Sequence, residues 1–285
     1  MSVINTNINA QYSQDALKVN AKAMGNVMQQ LATGSRINAA KDDAAGLSIT
    51  QNMTSQIRGL NQAVRNVNDG INLLQTADGA LVETAGMLQR MRELAVQSSN
   101  GVNSGIQRGY LDKEFKSLQE EINRIAANTS WNNTTLIAGS GTNNSGNTTS
   151  MVFVFQAGIS SGQTISVSID SMATSALGVA ATGASAIAIA TFVGAQAAIT
   201  EIDKAIENVS LSRSAMGATM NQLSYSADNM VNISTNIGAS RSTILDTDYA
   251  TASAQLAKNQ IISQAATAML AQANQQPQSV LTLLK

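Results

Sequence analysis

The chain has 285 residues, a formal net charge of −1, 12% charged side chains, one proline, and no histidine or cysteine. Those counts remove histidine acid–base chemistry, thiol nucleophiles, disulfides and zinc sites built on His or Cys, and the near-neutral balance argues against a general nucleic-acid binder. Apolar residues make up 44% of the chain and aromatics only 3%, so Ala and the aliphatic residues must supply the core, a composition that suits closely approaching helices.

Residues 1–9 carry neither a basic region nor an apolar run, so no signal peptide is expected. Over residues 5–33 the spacing predicts an amphipathic helix with Leu17, Met24, Val27, Met28 and Leu31 on one face, stopped at Gly34. The link GSRINAAKDDAAG (34–46) follows, with Asp42 and Asp43 placed to cap the next helix. From about 47 to 99 a second helix carries Met53, Ile57, Leu60, Val64, Val67, Ile71, Leu74, Leu81, Ala85 and Leu88 at alternating steps of four and three, interrupted at Asp78. That cadence makes a narrow seam for packing one helix along another. Met91, Leu94 and Ala95 leave the register, which reads as a slip of the seam.

Asn100–Gly105 breaks the helix. A third, 106–128, shows Ile106, Tyr110, Leu111, Phe115, Leu118, Ile122 and Ile125 on one face. Residues 129–150 read as loop from their Gly, Ser, Thr and Asn content, and Asn128, Asn132 and Asn147 begin Asn-x-Ser/Thr triplets there. Short β-type runs at 151–155 and 164–169 predict a hairpin. Residues 170–194 read as weakly structured or short-helical. The apolar run at 176–199 is too broken by glycine to span a membrane. The seam returns over 195–245 at Ile199, Ile202, Ile206, Val209, Met216, Met220, Leu223, Ala227, Met230, Ile237 and Ile244, whose methionines read as adaptable core. After a turn at Asp246–Asp248, a last helix (249–275) bears Leu256, Ile262 and Met269. Pro277 is expected to end it before a tail with Val280, Leu281 and Leu284.

The fold class expected is therefore mainly α: long antiparallel, coiled-coil-like helices from both termini, a small β-hairpin region, and a minimal or absent outer domain. Five segments follow: 1–45, an N-terminal helix and linker; 46–169, a long helix with the hairpin; 170–194, a reduced middle segment; 195–245, a second long helix; and 246–285, a C-terminal helix. Two matching helical ends point to assembly ahead of catalysis, and the Asp pairs read as helix caps rather than acid–base pairs.

Specific strings carry a resemblance over nearly the whole chain. INTN (4–7), LATGSRINAAKDDAAGLSI (31–49), GINLLQTADGAL (70–81), QRMRELAVQS (89–98), GASRSTILDTDYA (238–250) and AQANQQPQSVLTLL (271–284) resemble those of bacterial flagellins. The resemblance implies that the 1–45 and 246–285 helices form an inner tube and that 46–169 and 195–245 form a rod-like layer around it. It leaves 170–194 as a reduced hypervariable segment. It further implies a secreted structural subunit of the extracellular flagellar filament, not an enzyme, with no cofactor, no nucleic acid and no membrane insertion. Its partners would be copies of itself, an export chaperone, a cap protein and a hook-filament junction protein. The junction protein, which shares the terminal helices, is the alternative identity.

Two sets of site residues go with that resemblance. Gln89, Arg90, Arg92, Glu93, Leu94 and Glu114 would form the inter-subunit surface, which is also the surface bound by the flagellin-sensing Toll-like receptor of animals; a solvated helix face is the ordinary reading of such a cluster. Leu17, Met24, Val27, Met28, Leu31, Leu256, Ile262, Met269, Val280, Leu281 and Leu284 would pack the tails within the polymer. A lone terminal helix is marginal in water, so the tails are expected to order only on assembly.

Overall fold

Caps set most of the helix boundaries. In α1 (Ile8–Thr33) the Asn7 carboxamide oxygen accepts from the Ala10 amide at 3.1 Å, and Gly34, at φ +70°, ends the helix by donating to the Gln30 carbonyl. A β-carbon on Gly34 would lie 3.2 Å from the Tyr249 hydroxyl, a second reason for glycine there. Asp43 opens α2 (Ala44–Ser98) by accepting from the Gly46 amide at 2.8 Å. Asp42 instead closes the link before it, accepting from the Asn38 and Ala39 amides. Ser104 and Gln107 form a reciprocal capping box on α3 (Gly105–Asn128). The remaining elements are β1 (Ser130–Trp131), β2 (Thr134–Thr135), β3 (Ser150–Gln156), β4 (Thr164–Asp170), α4 (Phe192–Leu245) and α5 (Tyr249–Thr282).

The computed structural model describes residues 7–139, 150–181 and 187–282, with side chains to residue 275. The Asn147 triplet, Leu284 and the side chains of Val280 and Leu281 lie outside the described residues. The chain divides into two units: Met1–Ile57 with Thr235–Lys285, and Arg58–Ser234.

In the first unit α1 and α5 pair antiparallel. The inward face of α1 carries Ala10, Ser13, Leu17, Asn20, Met24, Val27 and Leu31, after the cap Asn7, and that of α5 carries Ala252, Leu256, Asn259, Ser263, Ala266, Leu270 and Ala273, each spaced by alternating threes and fours. Three polar rungs fix the register. Asn7 Nδ2 donates to the Ala273 carbonyl (2.7 Å), Asn20 Nδ2 to the Asn259 carbonyl (2.8 Å), and the Tyr249 hydroxyl to the Leu31 carbonyl (3.3 Å). At the turn end, Arg36 donates its amide to the Leu245 carbonyl and Thr247 its amide to the Gly34 carbonyl.

Pro277 does not end α5, which runs through it to Thr282. A proline deprives the carbonyl four residues before it of its helical donor. That carbonyl belongs to Ala273, and it is the one Asn7 supplies.

In the second unit Leu60, Val67, Leu74, Leu81 and Leu88 of α2 are buried as expected, while the alternate members of the seam lie one position earlier than expected, at Ala63, Gly70 and Thr84 in place of Val64, Ile71 and Ala85. The buried line runs through Leu60, Ala63, Val67, Gly70, Leu74, Ala77, Leu81, Thr84, Leu88, Met91, Ala95 and Ser98, an unbroken alternation of three and four, with Leu73 and Leu94 buried beside it. No slip occurs at Met91–Ala95. Asp78 does not interrupt the seam; it flanks it, half-exposed, and pairs with Arg213 of α4 at 2.8 Å. Large residues (Leu60, Val67, Leu74, Leu81, Leu88) alternate with small ones (Ala63, Gly70, Ala77, Thr84). The buried line of α4 does the same, with Ile202, Val209, Met216 and Leu223 between Ala198, Ala205 and Ser212. Val64, Ile71, Ile199 and Ile206 are half-buried flanks.

The small positions serve the rest of the unit. Strands β3 and β4 form an antiparallel hairpin in register Ser150↔Asp170 through Gln156↔Thr164, one residue longer at several ends than expected. Phe155 occupies the space where Gly70 lacks a side chain, with ring atoms 2.9–3.1 Å from a built β-carbon; Ile159 does the same at Gly59. Within the expected loop 129–150, β1 and β2 form a tight hairpin turned by Asn132 and Asn133, at φ +48° and +62°, a two-residue loop that needs the left-handed region.

Helix α3 buries Phe115 and Ile122 as expected and half-buries Leu111, Leu118 and Ile125, but its buried line is centred to one side of the expected face. Ile106 and Tyr110 are exposed, whereas Asp112, Phe115, Gln119, Ile122 and Ala126 are buried. The polar members of that face hold the segment after β4. Asp112 Oδ1 accepts from the Ile189 amide (2.9 Å), Gln119 Nε2 donates to the Val179 and Ile187 carbonyls, and Asn123 Oδ1 accepts from the Thr174 amide and hydroxyl. The described residues between β4 and α4 form turns and irregular chain, with one helical turn at Ala173–Leu177, yet they pack into the core: Met172, Thr174, Leu177, Val179, Ala180 and Ile189 are all buried.

Candidate assembly and recognition surfaces

The cluster on α2 divides between two neighbours. The buried line through Leu88, Met91 and Ala95 places Arg90 on one flank and Arg92 on the other. Arg90 reaches α3, where its Nε and NH2 groups donate to one oxygen of Glu114 at 3.1 and 3.0 Å, and its NH1 donates to Glu93 at 2.9 Å. The hydrogen bonds it donates to Glu93 and then Glu114 hold the Arg90 guanidinium above its ordinary pKa. Arg92 reaches α4 and pairs with Asp203 at 2.6 Å, which raises its pKa for the same reason. Both pairs are exposed, so neither is a strong stabiliser of the fold; they fix charged groups in position on the surface.

The structure therefore joins Arg90, Glu93 and Glu114 in one network, including the distant Glu114 that the resemblance supplied. Gln89, Arg92 and Glu93 line a shallow open groove with Val96 and Gln97. Leu94 is a correction to the expected surface set: it is 1% exposed and belongs to the core beside Ala95. Asp203 was not found from the sequence. It lies 111 residues from Arg92, and no local pattern links the two.

The tail residues also divide. Leu17, Met24, Val27, Leu31 and Leu256 are half-buried in the α1–α5 seam, so part of the expected stripe is satisfied within one chain. Met28 is not on that face. It is exposed with Ile8, Tyr12 and Val19 on the outward side of α1, while Ile261, Ile262 and Met269 (64% exposed) occupy the outward side of α5. The unit leaves large apolar groups in water on both of its helices. Asn7, Asn20 and Asn259 are not among the expected site residues; the signal for the latter two is a polar residue at a three/four seam position.

Among the described residues no group of three or more His, Cys, Asp or Glu is placed to hold a metal ion. Nor is any described helix long and apolar enough to cross a membrane. Asp246 and Asp248 serve as local structural groups. Asp246 accepts from the Ser242 hydroxyl, and Asp248 caps α5 through the Ala250 and Thr251 amides and the Thr251 hydroxyl. Those bonds, the Thr251 hydroxyl first, hold the Asp248 carboxyl below its usual range.

Residues 4–142 match the bacterial flagellin N-terminal helical region, and residues 199–284 match the bacterial flagellin C-terminal helical region. The chain is 42% identical over 283 residues to a flagellin of Halalkalibacterium halodurans, covering 99% of this chain and 100% of that protein. It is 39% identical over 285 residues to the flagellar filament 31.3 kDa core protein of Treponema maltophilum, with coverage of 99% and 100%. Its fold is similar to that of a putative flagellar hook-associated protein from Vibrio parahaemolyticus: the TM-score is 0.58 at 18% identity, covering 72% of this chain and all of that one.

Proposed function

The chain belongs to the bacterial flagellin family, and from that premise we propose that its copies join head to tail into the extracellular flagellar filament that drives swimming. The family makes it a structural filament subunit rather than an enzyme. The observation that carries the assembly reading is the pair of apolar outward faces on α1 and α5: Val19, Met28, Ile261, Ile262 and Met269 stay in water after the two helices have packed together. Each large apolar side chain left exposed forfeits roughly 1.5–3 kcal/mol, and neighbouring copies are the occupants that would recover it. A repeated head-to-tail contact that does not close produces a helical filament.

The α1–α5 pair is itself lean. Among the described side chains its buried positions are Ala10, Asn20, Ala252, Asn259 and Ala273, little apolar area for two helices. The tails therefore reach full order in the polymer, where the outward faces are also covered. Secretion, with an export chaperone, a cap protein and a junction protein as partners, comes from the family resemblance. So does recognition by the animal flagellin-sensing Toll-like receptor through Gln89, Arg90, Arg92, Glu93 and Glu114. The likeness to a hook-associated protein is one of fold alone, so the filament subunit is preferred to the junction protein.

Seeded polymerisation of the purified chain, followed by light scattering, tests the assembly reading. Met28→Glu with Ile262→Glu should leave the melting temperature unchanged and abolish growth; growth at the unsubstituted rate would refute it. For the receptor reading, Arg90→Asp should sharply reduce signalling in receptor-bearing reporter cells.

A further inference from the structure

The turn between α2 and α3 contains the one Asn-Gly step in the chain, Asn100–Gly101. Asn100, Gly101 and Val102 are all exposed. The Gly101 amide makes no hydrogen bond among the described residues, and a β-carbon built on Gly101 meets nothing within 4 Å. The Val102 amide donates to the Asn100 carboxamide oxygen at 3.3 Å. The turn thus combines an unengaged backbone nitrogen, a carboxamide next to it, and a donor aimed at the oxygen that gains charge if the carboxamide carbon is attacked.

We propose that Asn100–Gly101 is a self-modifying site that converts to a succinimide and then to aspartate or isoaspartate, with water as the only co-reactant. The Gly101 nitrogen, its proton taken by solvent base, bonds to Cγ of Asn100. The tetrahedral oxyanion forms against the Val102 amide. The Cγ–Nδ2 bond then breaks and the leaving nitrogen departs as ammonia with a proton from water. Water opens the ring at either carbonyl. Opening at the former main-chain carbonyl reroutes the chain through Cγ and gives isoaspartate; opening at Cγ gives aspartate. No oxidation or reduction occurs.

The neighbouring Asn103–Ser104 step shows what structure adds to the sequence preference for glycine after asparagine. Asn103 Nδ2 donates to the Gln97 carbonyl at 2.6 Å, and the Ser104 amide, the would-be nucleophile, donates to Gln107 Oε1 at 2.8 Å. Both reacting groups are engaged there. Conversion at Asn100 has a structural consequence: Arg108 donates to the Ser98 and Asn100 carbonyls. A new carboxylate would sit just beyond α2, where helix carbonyls already concentrate negative charge, and in the isoaspartate form the main-chain carbonyl that Arg108 holds becomes that carboxylate.

The test is incubation of the full chain at mildly alkaline pH, with peptide mapping in 18O-labelled water and isoaspartate detection, run folded and in guanidinium. Folded, Asn100 should react at least as fast as in guanidinium and roughly tenfold or more faster than Asn103, with about 1.4 kcal/mol of barrier for each tenfold. Unfolding should raise the rate at Asn103. Gly101→Ala, which has open space for its methyl group, should slow conversion while leaving the melting temperature unchanged. A folded rate at Asn100 below the unfolded rate, or an equal rate at Asn103, would overturn the proposal.

Discussion

Three glycines of α2 give opposite expectations for one chemical change. Gly79 and Gly86 lie in the helix with nothing within 4 Å of a built β-carbon, whereas at Gly70 that carbon would sit 2.9, 3.0 and 3.1 Å from three ring atoms of Phe155. Ala is favoured over Gly inside a helix by about 1 kcal/mol. Gly79→Ala and Gly86→Ala should therefore each stabilise the chain by about that amount, and raise the melting temperature by roughly 2–4 °C for a unit of this size. At Gly70 the same gain is opposed by overpacking, typically about 1–3 kcal/mol, because the ring is held by the β3–β4 register and cannot retreat without disturbing it. The net expectation for Gly70→Ala is a loss of about 0–2 kcal/mol. Phe155→Leu should cost stability in the native background and less beside Gly70→Ala, a coupling that a double-mutant cycle by thermal or urea unfolding measures. If Gly70→Ala stabilises as much as Gly79→Ala, the hairpin does not pack on α2 at that glycine and the account of the small seam positions fails.

Three further outcomes follow from the hydrogen bonds. Asn7→Ala should cost about 0.5–1.5 kcal/mol through the lost bond to the Ala273 carbonyl, beside the loss of the α1 cap; only the first part should vanish in a Pro277→Ala background, where the Ala273 carbonyl regains its helical donor, and amide exchange in α5 reports that part. Gln119→Leu leaves the buried Val179 carbonyl and that of Ile187 without their donor, and should cost about 1–3 kcal/mol in urea unfolding while sparing the far-ultraviolet helix signal. The depressed pKa of Asp248 fixes a sign: its cap stabilises α5 above the ordinary aspartate value of 3.8 and is lost as pH falls through the lower folded value. Asp248→Asn should remove that acid-side dependence of α5 helicity, measured by amide exchange or nuclear magnetic resonance.

The sequence by itself determined the helices, their approximate ends and the hairpin. A three/four repeat in Ala-rich chain with one proline has few other solutions, and Gly34, Asp43 and Asp248 announce helix ends through local chemistry. The strings at both termini also determined the family. Only the tertiary structure decided where the seams are centred. Apolar periodicity defines an arc of helix surface, but the partner chooses the line within it, and the choice fell on the small residues Ala63, Gly70, Ala77 and Thr84 because close approach and the Phe155 ring need room there. The same reason moved α3 onto Asp112 and Gln119. Their polarity looked like solvent exposure until main-chain groups of residues 179–189 were seen to bond them. The pairings of Asn7 with Ala273 and Arg92 with Asp203 were invisible for a related cause: partners 266 and 111 residues apart leave no local pattern, and only the folded chain brings them together.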